Sequence, residues 1–358
     1  MEEIKIRSID FKSLYEKDDK ICDAVEKTLK HNPFAHIQDL PVEYYAEKQD
    51  KKVGSITIFP VLLTADGKDY VANAGSNLFV SNEERGKGIG KKLAICRMNA
   101  SSDKISIGAG LSNMSYPLYK KLGCTFFISP RMGLIVNSKK IVHGFIGNLS
   151  TIAAPIIDFF FFLFSLPLYF KNKRLKNKYT ICELDKACSE IEKIVYEDKA
   201  RFQEKHTKEW FNWLLNYNFM QNDIERNQLF AIKDRNGEIE AFFMFKTRIK
   251  NKIISSKTRD IRITSLIEWG IKSSSSLTEK DIVASFCDIA RKQKTDIVEI
   301  SFIPKDITES LRRNGFIKML DGRIMLYSIE DSPIRKHEGW DKEENWRLRP
   351  AYSDYGFC

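Results

Sequence analysis

Strands and helices follow one another in the same predicted order in both halves of this 358-residue chain. The order is β-α-β-β-β-α-β-α-β, from residue 3 to residue 127 and again from residue 178 to residue 329. Each copy has a short helix closed by glycine before an aromatic-bearing strand, LYKKLGCTFF at 118–127 and LRRNGFIKM at 311–319. The repeat predicts an α/β (α+β) fold of two tandem domains, each a mixed, largely antiparallel sheet flanked by helices.

The predicted domain boundaries follow from this repeat. The first domain covers residues 1–140 and the second covers 179–330, with a connector at 141–178. Residues 331–358 form a polar tail. We expect the tail to pack over a domain edge, with stacking on a sugar or nucleotide as the alternative. Its aromatic residues are Trp340, Trp346, Tyr352 and Tyr355.

The connector contains the most apolar stretch of the chain. Residues 149–170 read LSTIAAPIIDFFFFLFSLPLYF, and the basic run KNKRLKNK follows at 171–178. About 20 apolar residues suffice to cross a bilayer, but Pro155, Asp158 and Pro167 interrupt this stretch. Three alternatives stay open: a buried or half-buried helical connector, a segment in the boundary of an anionic membrane, and a membrane span.

Net charge indicates the classes of partner, and cysteine content indicates the cellular setting. The formal net charge of +10 favours anionic partners, such as a phosphorylated cofactor or a membrane surface. Seven scattered cysteines without a C-x-x-C pair, and only five histidines, predict no metal site and a reduced, cytoplasmic setting. The N-terminus lacks the apolar segment of a secretory signal. We therefore expect a cytoplasmic protein, with peripheral contact to the inner face of an anionic membrane through residues 149–178 as the further expectation.

One glycine-rich stretch has the features of a phosphate-binding loop. Residues 85–90 read RGKGIG, between a predicted strand that ends at Val80 and a predicted helix. Glycines let backbone amides face an anion, and a helix N-terminus adds partial positive charge. The stretch lacks the Gly-Lys-Ser/Thr ending of a Walker A loop, and its position and spacing do not fit a dinucleotide fingerprint. It therefore predicts a pyrophosphate cradle of another kind.

The stretch fits the pattern Arg/Gln-x-x-Gly-x-Gly/Ala through Arg85, Gly88 and Gly90, and a Leu-Tyr-x-x-x-Gly pattern follows at 118–123. In both motifs the sequence resembles the GNAT superfamily of acyl-coenzyme A-dependent N-acyltransferases. The resemblance is strongest over residues 50–130. The second half has KSSSSLTEK at 272–280 where the loop would be. The resemblance thus implies a tandem GNAT protein with one coenzyme A site and a degenerate second copy.

The resemblance also implies how the site works, with acetyl-coenzyme A as co-substrate and no metal. The loop would hold the pyrophosphate, and the preceding strand edge would hold the pantetheine arm. A backbone N–H of Phe79 or Val80 would stabilise the oxyanion, and Tyr119 would protonate the departing thiolate. The implied cofactor-binding residues are Leu78, Phe79, Val80, Arg85, Gly86, Lys87, Gly88, Ile89, Gly90 and Asn113.

The strand at 73–80 offers no carboxylate as general base, because it carries no acid. Glu83 and Glu84 follow it and are expected to be solvated. Glu268 occupies the corresponding strand position of the second half, where an acid on a core-type strand is unusual. We name Tyr119 and Glu268 as catalytic candidates, with a paired structural role as the alternative for Glu268. Further candidates are Glu299, to line the acceptor pocket, and Ser76 and Asn77, to hold a water.

The expected reaction is transfer of an acetyl or similar acyl group to an amine. By analogy the expected acceptor is an amino sugar of surface-polysaccharide biosynthesis, and no nucleic acid is expected as partner. One alternative is a protein or small-amine acceptor, and another is a non-catalytic acyl-coenzyme A-binding or membrane-associated assembly protein. An aminoacyl-tRNA-dependent peptidyl transferase is disfavoured, because that chemistry has no use for the loop at 85–90.

Overall fold

Two units make up the chain, and each draws on both halves of the sequence. The computed structural model describes residues 4–37, 40–217, 222, 224–253 and 255–356. The first unit comprises Met1–Ile128, Lys199–Met220 and Arg323–Cys358, and the second comprises Ser129–Asp198 and Gln221–Gly322. These interleaved units differ from the successive domains that the repeat predicts, and the predicted connector lies within the second unit. Residues 357 and 358 of the predicted tail lie outside the described residues.

The described residues form thirteen strands and ten α-helices. The strands are β1 (Lys5–Ile9), β2 (Glu43–Lys48), β3 (Lys51–Ala65), β4 (Lys68–Val80), β5 (Ile105–Ala109), β6 (Thr125–Ile135), β7 (Thr180–Leu184), β8 (Phe202–Glu204), β9 (Asn227–Lys233), β10 (Ile239–Lys250), β11 (Ile261–Ile271), β12 (Ile297–Ile300) and β13 (Ile317–Ser328). The helices are α1 (Phe11–Tyr15), α2 (Ala24–Lys30), α3 (Ile89–Met98), α4 (Ser115–Lys121), α5 (Lys139–Ile146), α6 (Ser150–Lys176), α7 (Ser189–Tyr196), α8 (Lys208–Asn216), α9 (Glu279–Lys292) and α10 (Lys305–Arg313).

The sheet of the first unit has the order β1-β2-β3-β4-β5-β13, and β8 pairs with the end of β3. Its neighbouring strands are antiparallel except for β4 and β5, which are parallel over Ala72–Ala74 and Ile105–Ile107. Asp66 and Gly67 connect β3 to β4, and both have the positive φ of a two-residue hairpin turn. This hairpin fixes the register of β4, the strand that leads into the glycine loop.

The sheet of the second unit repeats this plan in the order β7-β9-β10-β11-β12-β6. Again only the fourth and fifth strands, β11 and β12, are parallel. Phe243, Phe245 and Phe286 are fully buried in a core formed by the sheet, α9 and one face of α6. The mixed, largely antiparallel sheet predicted for each copy is therefore confirmed.

The sixth strand of each sheet comes from the other half of the sequence. β6 ends the first half and pairs through Met132–Ile135 with β12 in the second unit. β13 ends the second half and pairs through Ile324–Ser328 with β5 in the first unit. This exchange of last strands explains why the units are interleaved, and it leaves no trace in local sequence periodicity.

Two elements of the second half are absent from the predicted order. β8 follows α7 and pairs with the end of β3. α8 comes next, and Thr207 caps it by accepting a hydrogen bond from the Trp210 N–H at 3.2 Å. The tail packs as expected, since Tyr352 is fully buried and Trp346 stacks on Phe202 at 5.2 Å between ring centroids.

The apolar middle of the chain forms α5, a short turn and α6. The segment Lys139–Lys176 is long and apolar enough to cross a membrane, and only 17% of its most apolar 18-residue window is buried. α6 is thus helical, but most of its large apolar side chains are exposed. The helix is therefore half-buried, as the first alternative allows, and contact of its exposed face with a membrane stays a prediction.

Candidate functional site

A β-bulge distorts β4 just before the glycine loop. Opposite β3, Ser55 pairs with Phe79 and Thr57 pairs with Ser76, so β4 carries one extra residue. Asn77 lies in this bulge with a φ of 53°, which is uncommon for a residue other than glycine. Pairing of β4 with β5 ends at Ala74, within two strands that are described throughout. The segment Leu78–Val80 therefore leaves the β5 side of the sheet, and its edge is open to an extended ligand.

The glycine loop leads directly from β4 to the N-terminus of α3. A 3₁₀ turn covers Asn82–Glu84, and α3 begins at Ile89 with Gly88 as its N-cap residue at a φ of 83°. Within the part of the chain that the structure describes, no side chain caps this helix, so the first N–H groups of α3 stay available to a ligand. A Cβ at Gly86 or Gly88 would meet no atom within 4 Å, and positive φ at both makes glycine the fitting residue. The loop therefore has backbone geometry that suits an anion, and its binding of a pyrophosphate stays a prediction.

Charged side chains hold the loop in shape. Arg85 donates from Nε to the Val80 carbonyl at 3.1 Å. Glu84 is buried between Lys48 at 2.9 Å and Lys87 at 3.1 Å, which corrects the expectation that it is a solvated surface charge. Its hydrogen bonds with Lys48 and then Lys87 lower the pKa of Glu84, so it stays ionised. Glu83 is exposed, as expected.

A buried arginine reaches from α3 to Tyr119. The guanidinium of Arg97 lies against Gly75 on β4 and Gly108 on β5, where a Cβ on either residue would press on it. Its Nη1 donates to the Tyr119 hydroxyl at 3.1 Å, and its Nη2 donates to the Ile107 carbonyl. Arg97 is 3% exposed, and among the described residues it has no ion pair and its Nε has no hydrogen-bond acceptor. The site thus contains a positive charge that no described carboxylate compensates.

Arg97 was not predicted as a site residue, although the sequence contains a signal for it. Ile89, Leu93 and Arg97 are spaced at i, i+4 and i+8, so Arg97 falls on the buried face of α3. A cation on such a face is a candidate for function, because burying it without a partner is costly.

Two predicted site residues of the first unit, Asn113 and Tyr119, differ in exposure. Tyr119 on α4 is 3% exposed. Asn113 is exposed in the connection from β5 to α4, and its side-chain oxygen accepts a hydrogen bond from Arg323 at 3.0 Å. Arg323 in turn stacks over Tyr116 at 4.4 Å. The pantetheine contact implied for Asn113 stays a prediction.

The second unit keeps the bulge but not the cradle. Met244 pairs with Glu268 and Phe245 pairs with Leu266, so β11 carries one extra residue where β4 does. The N-terminus of α9, however, is closed by its own acid: Asp281 accepts hydrogen bonds from the N–H and hydroxyl of Thr278 at 2.9 and 2.7 Å. A carboxylate occupies the position where an anion would bind. This explains in physical terms why the second copy is degenerate at its loop.

The two acids predicted on the second unit are both buried. Glu268 is fully buried, and its carboxylate accepts a hydrogen bond from the Trp269 N–H at 2.9 Å. Glu299 accepts hydrogen bonds from Ser265 at 2.9 Å and from Arg131 and Arg248. Burial alone would raise the pKa of Glu299, but the two guanidinium groups outweigh burial and lower it. Glu299 is therefore the centre of an ion-pair cluster. The catalytic role of Glu268 stays a prediction.

The chain shares its fold with solved structures of an N-myristoyltransferase and of a GCN5-related N-acetyltransferase. The chain resembles Saccharomyces cerevisiae N-myristoyltransferase with bound myristoyl-CoA at a TM-score of 0.57 and 12% identity, covering 91% of this chain and 82% of that one. It also resembles a GCN5-related N-acetyltransferase from Anabaena variabilis at a TM-score of 0.51 and 13% identity, with 90% and 72% covered. No family model and no curated protein sequence matches the chain. Identities this low establish the fold alone.

Proposed function

We propose that this protein is an acyl-coenzyme A-dependent N-acyltransferase. The observation that carries the proposal is the sequence of features on β4 and α3: a bulge, an open strand edge, and an uncapped helix N-terminus preceded by glycines with positive φ. An extended acyl-coenzyme A can contact these sites in the same order, with its thioester near the bulge, its pantetheine arm along the strand edge and its pyrophosphate at the helix N-terminus. The N-myristoyltransferase that the chain resembles binds myristoyl-CoA, which supports the same class of co-substrate.

The proposed reaction replaces a C–S bond by a C–N bond and includes two proton transfers. The acceptor nitrogen attacks the thioester carbon, the new C–N bond forms, and the C–S bond breaks to release a thiolate. The N–H of Phe79 or Val80, next to the bulge, stabilises the oxyanion. The Tyr119 hydroxyl gives its proton to the thiolate sulfur, and the proton of the amine leaves to a base or to water held near Ser76 and Asn77.

Arg97 is proposed as the residue that positions Tyr119. Because Arg97 donates to the Tyr119 oxygen, that hydrogen bond does not use the phenolic proton, which stays available to the sulfur. Once the proton has left, the guanidinium at 3.1 Å stabilises the negative charge on the phenolate oxygen. This role gives a reason for a buried cation that no described carboxylate neutralises.

The proposed acceptor is an amino sugar, nucleotide-linked or lipid-linked, in surface-polysaccharide assembly at the cytoplasmic side of the membrane. Support for this choice is the resemblance to tandem GNAT proteins and the net charge of +10, which favours phosphorylated substrates. Acetyl is the proposed acyl group. The alternative class is a non-catalytic protein that binds acyl-coenzyme A.

A thiol-release assay on the full-length protein tests the proposal. Acetyl-, butyryl- and palmitoyl-coenzyme A are each offered with amino sugars, a nucleotide-linked amino sugar, spermidine and a peptide amine, and product masses are measured by mass spectrometry. We expect amine-dependent thiol release with the matching mass gain on one acceptor class. Binding of acyl-coenzyme A without transfer to any amine would favour the non-catalytic alternative and overturn the proposed activity.

A further inference from the structure

The polarity of the two faces of α6 is the reverse of that in a helix on the surface of a water-soluble protein. Its inward face carries small and polar residues as well as leucine: Ser150, Ala154, Ser165, Leu168, Asn172 and Leu175 are buried. Its outward face is apolar, and its members repeat at intervals of three, four or seven residues. They are Ile152, Ile156, Phe159, Leu163 and Phe170, all between 41% and 70% exposed.

The inward face is attached to the second unit along the whole helix. Asp158 accepts a hydrogen bond from the Ser138 N–H at 2.7 Å, and Ser165 accepts one from Arg291. Towards the C-terminal end, ion pairs join Lys171 to Asp281 at 2.8 Å and Lys176 to Asp288 at 2.6 Å. Leu168 and Leu175 enter the core of the unit. Lipid therefore has access to one side of α6 only.

The outward face is large and continuous. From Ile152 to Phe170 it extends about 27 Å along the helix axis, at 1.5 Å per residue. Phe145, Ile146 and Leu149 extend it into α5 and the turn, and each is exposed. Contiguous apolar surface of this size on a protein marks an interaction site.

Positive charge surrounds this face. Between residues 139 and 178 the only acid is Asp158, whereas the bases are Lys139, Lys140, Lys171, Lys173, Arg174, Lys176 and Lys178. A cleft of about 680 Å³ opens at the C-terminal end of the face. Lys171, Arg174 and Lys178 line it together with Phe170. Among the described residues that line it, the one carboxylate, Asp281, is neutralised by the ion pair with Lys171. Cations beside an apolar surface complement a phosphate headgroup above acyl chains.

We propose that α5 and α6 form an interfacial anchor that lies in the plane of an anionic bilayer. The outward face enters the boundary between headgroups and acyl chains, to a depth of about 5–10 Å. Lys139, Lys173, Arg174 and Lys178 contact lipid phosphates, whereas Lys140, Lys171 and Lys176 stay paired with acids of the second unit. The cleft receives one headgroup. A crossing helix would bring the unit attached to its inward face, with its charged surface, into the hydrocarbon core, where charged groups are costly. The anchor is independent of the acyl transfer proposed above.

Vesicle co-sedimentation of the full-length protein without acyl-coenzyme A tests the anchor. The vesicles contain phosphatidylcholine alone or with one quarter phosphatidylglycerol, at low and at high salt. We expect binding that phosphatidylglycerol strengthens and salt weakens. The variant Ile152→Gln/Phe159→Gln should bind at least tenfold more weakly. The control Ile21→Gln/Ile317→Gln, which removes exposed apolar residues elsewhere, should bind like the wild type.

Two further measurements distinguish the in-plane anchor from a membrane-spanning helix and from an interface with a second copy of the chain. Arg174→Gln/Lys178→Gln should lose the preference for phosphatidylglycerol, and alkaline carbonate should release the vesicle-bound wild type, as it does a peripheral protein. Retention after carbonate would overturn the in-plane placement. Absence of vesicle binding, with a dimer that Ile152→Gln/Phe159→Gln dissociates, would assign the face to a second copy of the chain and overturn the anchor.

Discussion

At the scale of single residues, Arg97 and Tyr119 connect the fold to the proposed chemistry. Tyr119 could be found from the sequence, because a recognisable pattern surrounds it. The environment of Arg97 could not, because it depends on two glycines, Gly75 and Gly108, that leave room for a guanidinium between two strands about 30 residues apart in the chain. Sequence periodicity indicates that a side chain is buried, but not what it lies against.

Removing the hydroxyl of Tyr119 should slow the reaction without weakening co-substrate binding. We expect Tyr119→Phe to lower kcat about 10²-fold, the lower end for loss of a general acid, with little change in KM for acetyl-coenzyme A. Steady-state kinetics measures both. An unchanged kcat would remove Tyr119 from the mechanism.

Arg97→Gln should reproduce this effect if Arg97 acts through Tyr119. We expect a kcat about 10–100-fold lower, and no further loss when Arg97→Gln is combined with Tyr119→Phe, since residues that act as a unit are not additive. Arg97→Lys should restore part of kcat. Additive losses in the double variant, or a thermal unfolding midpoint that falls while kcat holds, would indicate a structural role only.

Asp66 provides a pH-dependent contribution to stability in the first unit. Hydrogen bonds from Arg201 and then His337 lower the pKa of Asp66 from 3.8 to about 2. Because the folded pKa lies below the unfolded one, this contribution is present above pH 4 and is lost as pH falls towards 2. Urea unfolding between pH 5 and pH 2.5 should therefore show a smaller drop for Asp66→Asn than for the wild type. Parallel curves would contradict the assignment.

At the scale of elements, most strands and helices could be predicted, because hydrophobic period and glycine C-caps are local signals. The glycine loop was predicted for the same reason. The bulge at Asn77 and the self-capped N-terminus of α9 could not be, since each depends on the register of a partner strand or on one rotamer. Because both copies carry the bulge, the capped N-terminus of α9 decides which copy has an open cradle.

The Glu299 cluster joins β12 to Arg131 on β6, Arg248 on β10 and Ser265 on β11, and it should stabilise the second unit. Glu299→Gln removes the carboxylate that the half-buried Arg131 and the buried Arg248 share, so we expect a loss of about 3–5 kcal/mol in the free energy of unfolding. The control Glu238→Gln breaks an exposed pair with Lys272 and should cost at most about 1 kcal/mol. Urea denaturation measures both. Equal, small effects would contradict a buried ion-pair cluster.

At the scale of the whole molecule, the exchange of last strands makes each unit depend on both halves of the sequence. The fragment 1–140 was predicted to be a domain, but it lacks β13 and β8, which pair with β5 and β3. Unpaired strand edges and missing core residues destabilise such a fragment. We expect 1–140 to show no cooperative thermal transition by circular dichroism, whereas the full chain does. A cooperative transition in the fragment would show that the halves fold separately.

The central claim is that the loop from Arg85 to Gly90 binds the pyrophosphate of coenzyme A. Isothermal titration with coenzyme A tests it on the wild type, on Gly88→Glu and on the matched control Gly67→Glu. Gly67 and Gly88 have φ values of 79° and 83°, and at both a Cβ would enter open space, so the two substitutions carry the same backbone strain. We predict that Gly67→Glu binds like the wild type and that Gly88→Glu binds at least about tenfold more weakly, because a carboxylate at the helix N-terminus repels the pyrophosphate. Equal affinities for all three proteins, or no binding by the wild type, would contradict the account.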